Sequence, residues 1–127
     1  MVFFHIPLQE YRTAYELYEQ GSNEVTYFFG ENGEKMINKV CCSDYPSKLF
    51  DTMVALKSTK AVFCGHDHYN NMSLEYKGIR LTYGMSIDYL AMPGIEHDTA
   101  QRGAELITLH ADGTFDLVQI PLTSINE

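Results

Sequence analysis

The sequence has no tryptophan, only three cysteines and four prolines, and nine lysines and arginines against 17 aspartates and glutamates. Each shortage excludes something. Cys41, Cys42 and Cys64 are an odd set without Cys-x-x-Cys spacing, so no disulfide framework is expected and a reducing cytoplasm is the expected setting. All three read as small buried hydrophobes or ordinary thiols, since adjacent Cys41 and Cys42 point apart in extended chain. A net charge of −8 leaves no basic face for a phosphate backbone, so no nucleic-acid patch is expected. The acidic residues are spread over helices and loops, which describes a solvated surface. No apolar run approaches the roughly 20 residues that cross a bilayer, and residues 1–8 lack the basic flank of a signal peptide, so no membrane partner is expected. Neither a glycine-rich nucleotide cradle nor a Ser or Cys nucleophile motif is present.

What is there suffices for a core. The chain has 127 residues, 45% of them hydrophobic and 13% aromatic, which suits one folded unit over 1–127 and argues against disorder. Val2, Phe3, Phe4 and Ile6, stopped by Pro7, predict a buried strand that delivers His5 to its end. Over residues 8–20 the period changes: Leu8, Tyr11, Tyr15 and Tyr18 recur at helical spacing and Gly21 stops the helix, so the tyrosines read as a core face. Residues 21–45 are turn-rich and predict a long connection of the kind that forms lids and rims. Pro46 opens a second helical segment whose Leu49, Phe50, Met53, Val54 and Leu56 predict a wide apolar face, with Lys57 and Lys60 suiting its dipole. A second buried strand covers 60–65. Lys77-Gly78 and Asp112-Gly113, each between apolar runs, predict two hairpins.

The chemistry gathers where the two buried strands end. His5 follows the first, and Gly65-His66-Asp67-His68 follows the second. Ligand sites of α/β sheets collect at such ends, and Gly65 lets the backbone turn sharply. Imidazoles at i and i+2 on a turn diverge and reach two neighbouring ions rather than chelating one. A binuclear centre needs that arrangement to polarise a phosphoryl group and activate water. Neutral imidazole suits Zn, Fe or Mn, with oxygen ligands completing the shells. A single structural zinc held by the three histidines and a cysteine is an alternative use of the same residues. His97 reads as a surface-loop residue or a histidine at the site rim, and His110 as a solvated hairpin residue.

These residues resemble two metal-binding motifs of the calcineurin-like metallophosphoesterases, in the branch similar to purple acid phosphatases. The resemblance is carried by Phe3-Phe4-His5-Ile6-Pro7-Leu8 and by Ala61-Val62-Phe63-Cys64-Gly65-His66-Asp67-His68. Glu34-Lys35, Val40-Cys41-Cys42, Leu49-Phe50, Gly78-Ile79-Arg80-Leu81-Thr82-Tyr83-Gly84 and Arg102-Gly103-Ala104 agree in the same order, over nearly the whole chain. It implies an α/β (α+β) fold, the C-terminal half of an αββα sandwich, with a mixed sheet, two main helices and C-terminal hairpins. It also implies a metal-dependent phosphoric ester hydrolase with two divalent ions and a phosphate ester substrate in the intact enzyme. His5 and His66 are then expected to ligate one metal and His68 the other. Asp67 is expected to bond nearby backbone or orient a histidine, while Asn70, Tyr83 and His97 lie behind the ligands or at the substrate rim. A basic residue that often follows the Tyr83-Gly84 position is replaced by Met85.

The family's Asp-x-His, Gly-Asp and Gly-Asn-His motifs are absent. None of the seven aspartates has a histidine two places on, no glycine precedes an aspartate, and no asparagine precedes a histidine. Three neutral imidazoles without a bridging carboxylate make only a partial site, so this chain alone is expected to bind metal weakly and to hydrolyse esters poorly or not at all. A non-catalytic binding or oligomerisation module is the rival reading. Half of a sandwich leaves apolar sheet surface uncovered, which predicts a homo-oligomer.

Overall fold

A computed structural model describes residues 1–35 and 39–124. Two helices, a mixed five-stranded sheet and a two-stranded sheet make a partial α+β domain. The large sheet contains β1 (Val2–Phe3), β2 (Val25–Phe29), β3 (Ala61–Cys64), β4 (Ser73–Tyr76) and β5 (Ile79–Tyr83), in the order β1-β3-β5-β4-β2. β1, β3 and β5 are parallel, so the loops that follow them leave from one edge. β4 runs antiparallel to both β5 and β2.

Alternation along the strands sorts the two faces. Val62, Cys64, Leu74, Tyr76, Ile79, Leu81 and Tyr83 form a core with Tyr11 and Ala14 of α1 (Gln9–Glu19) and with Phe50 and Met53 of α2 (Leu49–Leu56). The Tyr11 hydroxyl crosses this core to donate to the Val62 carbonyl at 2.7 Å, which satisfies a group that burial would otherwise penalise. Gly21 ends α1 with φ +69°, and the Ser22 N–H bonds back to the Leu17 carbonyl at 2.9 Å.

The opposite face is polar at its centre. Ser73 and Thr82 share a 2.7 Å hydroxyl–hydroxyl hydrogen bond, and Arg80 Nε donates to Ser73 Oγ at 2.8 Å. The antiparallel hairpin of β6 (Gly103–Leu109) and β7 (Phe115–Pro121) lies on this side. Gln119 Nε2 ties it down by donating to the Asn71 carbonyl at 2.7 Å. Both predicted hairpins form, with positive φ at Lys77, Gly78 and Gly113.

Four expectations need correction. β1 is a two-residue edge strand rather than a buried one, and Phe3 is 63% exposed. The connection over 21–45 contains β2, whose exposed edge position removes the in–out alternation that marks a strand in sequence; residues 36–38 lie outside the described residues. α2 starts at Leu49, three residues after Pro46. Its apolar face is narrower than expected, because Phe50 and Met53 are buried whereas Leu49 and Leu56 are exposed.

Candidate metal centre

Parallel pairing brings the site together. The Phe4 N–H donates to the Phe63 carbonyl at 2.9 Å, and the Gly65 N–H to the His5 carbonyl at 3.1 Å. The ladder of β1 and β3 thus runs on past the strands and sets His5 beside His66. On the other side the Gly84 N–H donates to the Cys64 carbonyl at 2.8 Å, which places the loop after β5 against the loop after β3. Between them lies an open cleft of about 390 Å³, lined by His5, His66, Asp67, His68, Ser86 and Asp88 among others.

His5 Nε2 and His66 Nδ1 stand 3.4 Å apart with their rings edge to face, centroids 5.2 Å apart. Whichever nitrogen carries the proton donates to the other. Two nitrogens held about 2.0–2.1 Å from one tetrahedral ion are separated by about 3.4 Å, so the pair has the spacing of two ligands of one metal. His66 adopts φ +72°, an uncommon conformation for a side-chain-bearing residue. Strain of this kind persists only where surrounding structure over-determines it, and here the Asp67 N–H bonds the Gly65 carbonyl across the turn at 2.9 Å.

His68 lines the same cleft but is bonded elsewhere: its Nδ1 lies 2.6 Å from Asp88 Oδ2. Asp88 also accepts from the backbone N–H groups of Leu90, Ala91 and Met92 at 3.0, 2.8 and 2.9 Å. The Ala91 bond, with those of His68, Met92 and Leu90, holds its carboxyl well below the usual carboxylate range against the opposing effect of burial. No sequence pattern marked Asp88, because its partner lies 20 residues away in a different loop. Among the described residues no group of three or more His, Cys, Asp or Glu side chains is arranged to hold a metal ion.

The residues set beside the ligands divide. Asp67 is buried under the cleft, and its Oδ2 accepts from the Cys41 N–H at 3.0 Å and the Tyr83 hydroxyl at 2.6 Å, so it bonds backbone and a tyrosine rather than a histidine. Of the two places expected for Asn70 and Tyr83, the structure puts both behind the cleft rather than at its rim, buried at 0% and 1% exposure. Asn70 instead clasps Lys39 and Glu34, donating to the Lys39 carbonyl at 2.6 Å and accepting from the Glu34 N–H at 3.2 Å. Burial, with Cys64 and Asp67 nearby, pushes the Tyr83 hydroxyl far above its ordinary pKa, so it stays a donor. His97 stands outside the cleft, its side chain 85% exposed beside Glu96. His110 is a hairpin residue 2.8 Å from Asp116.

No cysteine completes the set. Cys64 faces the helix-side core, and among the described residues no cysteine joins the histidines in a group arranged to hold a metal. None of the three is in a disulfide.

The chain is 36% identical over 91 residues to "Probable inactive purple acid phosphatase 28" of Arabidopsis thaliana, a match covering 72% of this chain. It is 31% identical over 93 residues to "Probable inactive purple acid phosphatase 29" of the same plant, again covering 72% of this chain. Over the matched stretch this chain is similar to part of the purple acid phosphatase-like proteins. Each match covers only 20% of the relative's length. By family the purple acid phosphatases are phosphohydrolases and generally metal-dependent, whereas both of these relatives carry names that mark them inactive. No protein-family model matches the chain, and no solved structure matches it.

Proposed function

We propose that the cleft is a partial metal centre of a phosphoric ester hydrolase, and that this chain alone does not turn over phosphate esters efficiently. The observation that carries the reading is the 3.4 Å separation of His5 Nε2 and His66 Nδ1 at the ends of two paired parallel strands. These two imidazoles would hold one divalent ion, and His68 would face a neighbouring one. Such ions, Zn, Mn or Fe, supply Lewis-acid polarisation of a phosphoryl oxygen and activation of water. The protein's own part is to keep the imidazoles apart by one ligand spacing and to hold the turn between them.

What argues against turnover is the carboxylates. Asp67 Oδ2 accepts from the Cys41 N–H and the Tyr83 hydroxyl, and Asp88 from His68 and the backbone of residues 90–92, so both carboxylates are engaged with the protein rather than offered as a bridge or a proton donor. The relatives' names favour the second reading, a non-catalytic module that keeps the fold.

Titration of the purified chain with Zn²⁺, followed by the histidine ring signals, tests the first. The expected result is coupled perturbation of His5 and His66, with affinity lowered at least about tenfold in His66→Ala. Perturbation of neither ring overturns the metal reading. Hydrolysis of p-nitrophenyl phosphate by the wild type with added Zn²⁺ or Mn²⁺, abolished in His66→Ala, would overturn the proposed inactivity instead.

A further inference from the structure

The geometry points to Asp88 as a positioning residue that fixes the tautomer of His68, placing the proton on Nδ1 and leaving Nε2 as the lone-pair nitrogen. A neutral imidazole carries one N–H and one lone pair, and the partner of one nitrogen decides the role of the other. Opposite His68 Nδ1, at 2.6 Å, stands a carboxylate oxygen, which can only accept. Three features keep Asp88 an acceptor with its oxygens in place. Backbone N–H groups of Leu90 and Ala91 bind Oδ1, that of Met92 binds Oδ2, and the Asp88 side chain is only 9% exposed. The Asp88 N–H in turn donates to Ser86 Oγ at 3.0 Å, bracing the loop from both sides of the residue. His68 is the more exposed partner, at 32% of its side chain, and it lines the cleft.

The inference deepens the metal reading without depending on it. In water a free neutral imidazole favours the proton on Nε2, the wrong nitrogen for a ligand whose other nitrogen is turned to the protein. A carboxylate on Nδ1 reverses that preference. Among the described residues His5 and His66 show no carboxylate partner of this kind, so the three histidines are not equivalent ligands.

The test is the tautomer itself, read from long-range ¹H–¹⁵N correlations of the full chain at about pH 9, where imidazoles of ordinary pKa near 6.5 are neutral. Wild-type His68 is expected to carry its proton on Nδ1. Asp88→Ala is expected to move it to Nε2 and to lower Zn²⁺ affinity at His68 by about tenfold or more. Because Asp88 also caps the backbone of residues 90–92, Ser86→Ala serves as the companion variant: it loosens the same loop while leaving the carboxylate, and the Nδ1 proton is expected to stay. A wild-type proton on Nε2 overturns the inference, as does an Asp88→Ala protein that keeps it on Nδ1. Zn²⁺ that leaves every histidine unmoved, with the tautomer still dependent on Asp88, supports the positioning role and counts against the metal reading alone.

Discussion

Glu105 is the residue whose charge state the fold disturbs most usefully for a test. It points from β6 toward the large sheet, its Oε1 is buried without a hydrogen-bond partner, and burial pushes its carboxyl up from 4.5 to about 7. Arg80, which faces it from β5, pulls the other way but does not win. The sign follows from linkage: the folded protein holds this proton more tightly than the unfolded chain. Glu105 therefore favours the fold below its unfolded pKa, and that advantage drains away as pH rises from 4.5 through about 7. Urea unfolding across this window should show wild-type stability declining relative to Glu105→Gln, which keeps the neutral form at every pH. Parallel profiles for the two proteins would mean that the carboxyl ionises freely.

Residue by residue, the site was legible in sequence where a pattern is local. His5 and Gly65-His66-Asp67-His68 sit at strand ends because a β-former run stops at a proline or a glycine, and both signals are contained in a few residues. Asn70 and Tyr83 could not be assigned between the two expected places, behind the ligands or at the rim, for the opposite reason. Asn70 beside Asn71 looks like a turn, and only the distant Lys39 carbonyl and Glu34 N–H show it to be a buried clasp. Tyr83 ends a strand that points at the cleft, yet its hydroxyl is spent on Asp67.

At the scale of elements, β3 could be read from its uniformly apolar run, and both hairpins from turn residues that accept positive φ between their strands. β2 could not, since an edge strand with half-exposed aromatics has no alternation to read. Its attachment depends on Gly30, at φ +79°, where a Cβ would stand 2.2 Å from the Asn71 carbonyl oxygen. That contact lies where Asn71 brackets the chain, its N–H donating to the Glu31 carbonyl and its Oδ1 accepting from the Glu31 N–H, at 2.9 and 2.8 Å. Gly78 has a similar φ, +76°, with open space around it. The pair separates two costs. Gly78→Ala should lose about 1 kcal/mol from left-handed backbone alone, while Gly30→Ala should lose about 2–3 kcal/mol because backbone must also shift. Denaturation midpoints check this, and equal losses would show that the Asn71 contact yields without cost.

For the whole molecule the decisive balance is between apolar surface and charge. Phe3 and Ile6 are 63% and 49% exposed beside the free edge of β1, and Leu106 and Val118 are 52% and 53% exposed on the outer side of the β6–β7 hairpin. Edges and patches of this kind favour pairing with another chain, and the two-residue length of β1 does little to blunt its edge. Against that stands a net charge of −8, which repels a second copy over roughly a Debye length. The two terms respond differently to salt: screening removes the repulsion and leaves apolar burial in place. We therefore expect self-association at about tens of micromolar that strengthens as NaCl rises from about 0.05 to 0.5 M, where the Debye length shortens from roughly 14 to 4 Å. Replacing Phe3 by aspartate removes the most exposed aromatic at the edge and adds charge, so it should return the chain toward monomer at every salt concentration. Sedimentation velocity reads both effects. Association that weakened with salt would point to ion pairing between copies instead, and a monomer throughout would mean that this apolar surface does not pair with itself.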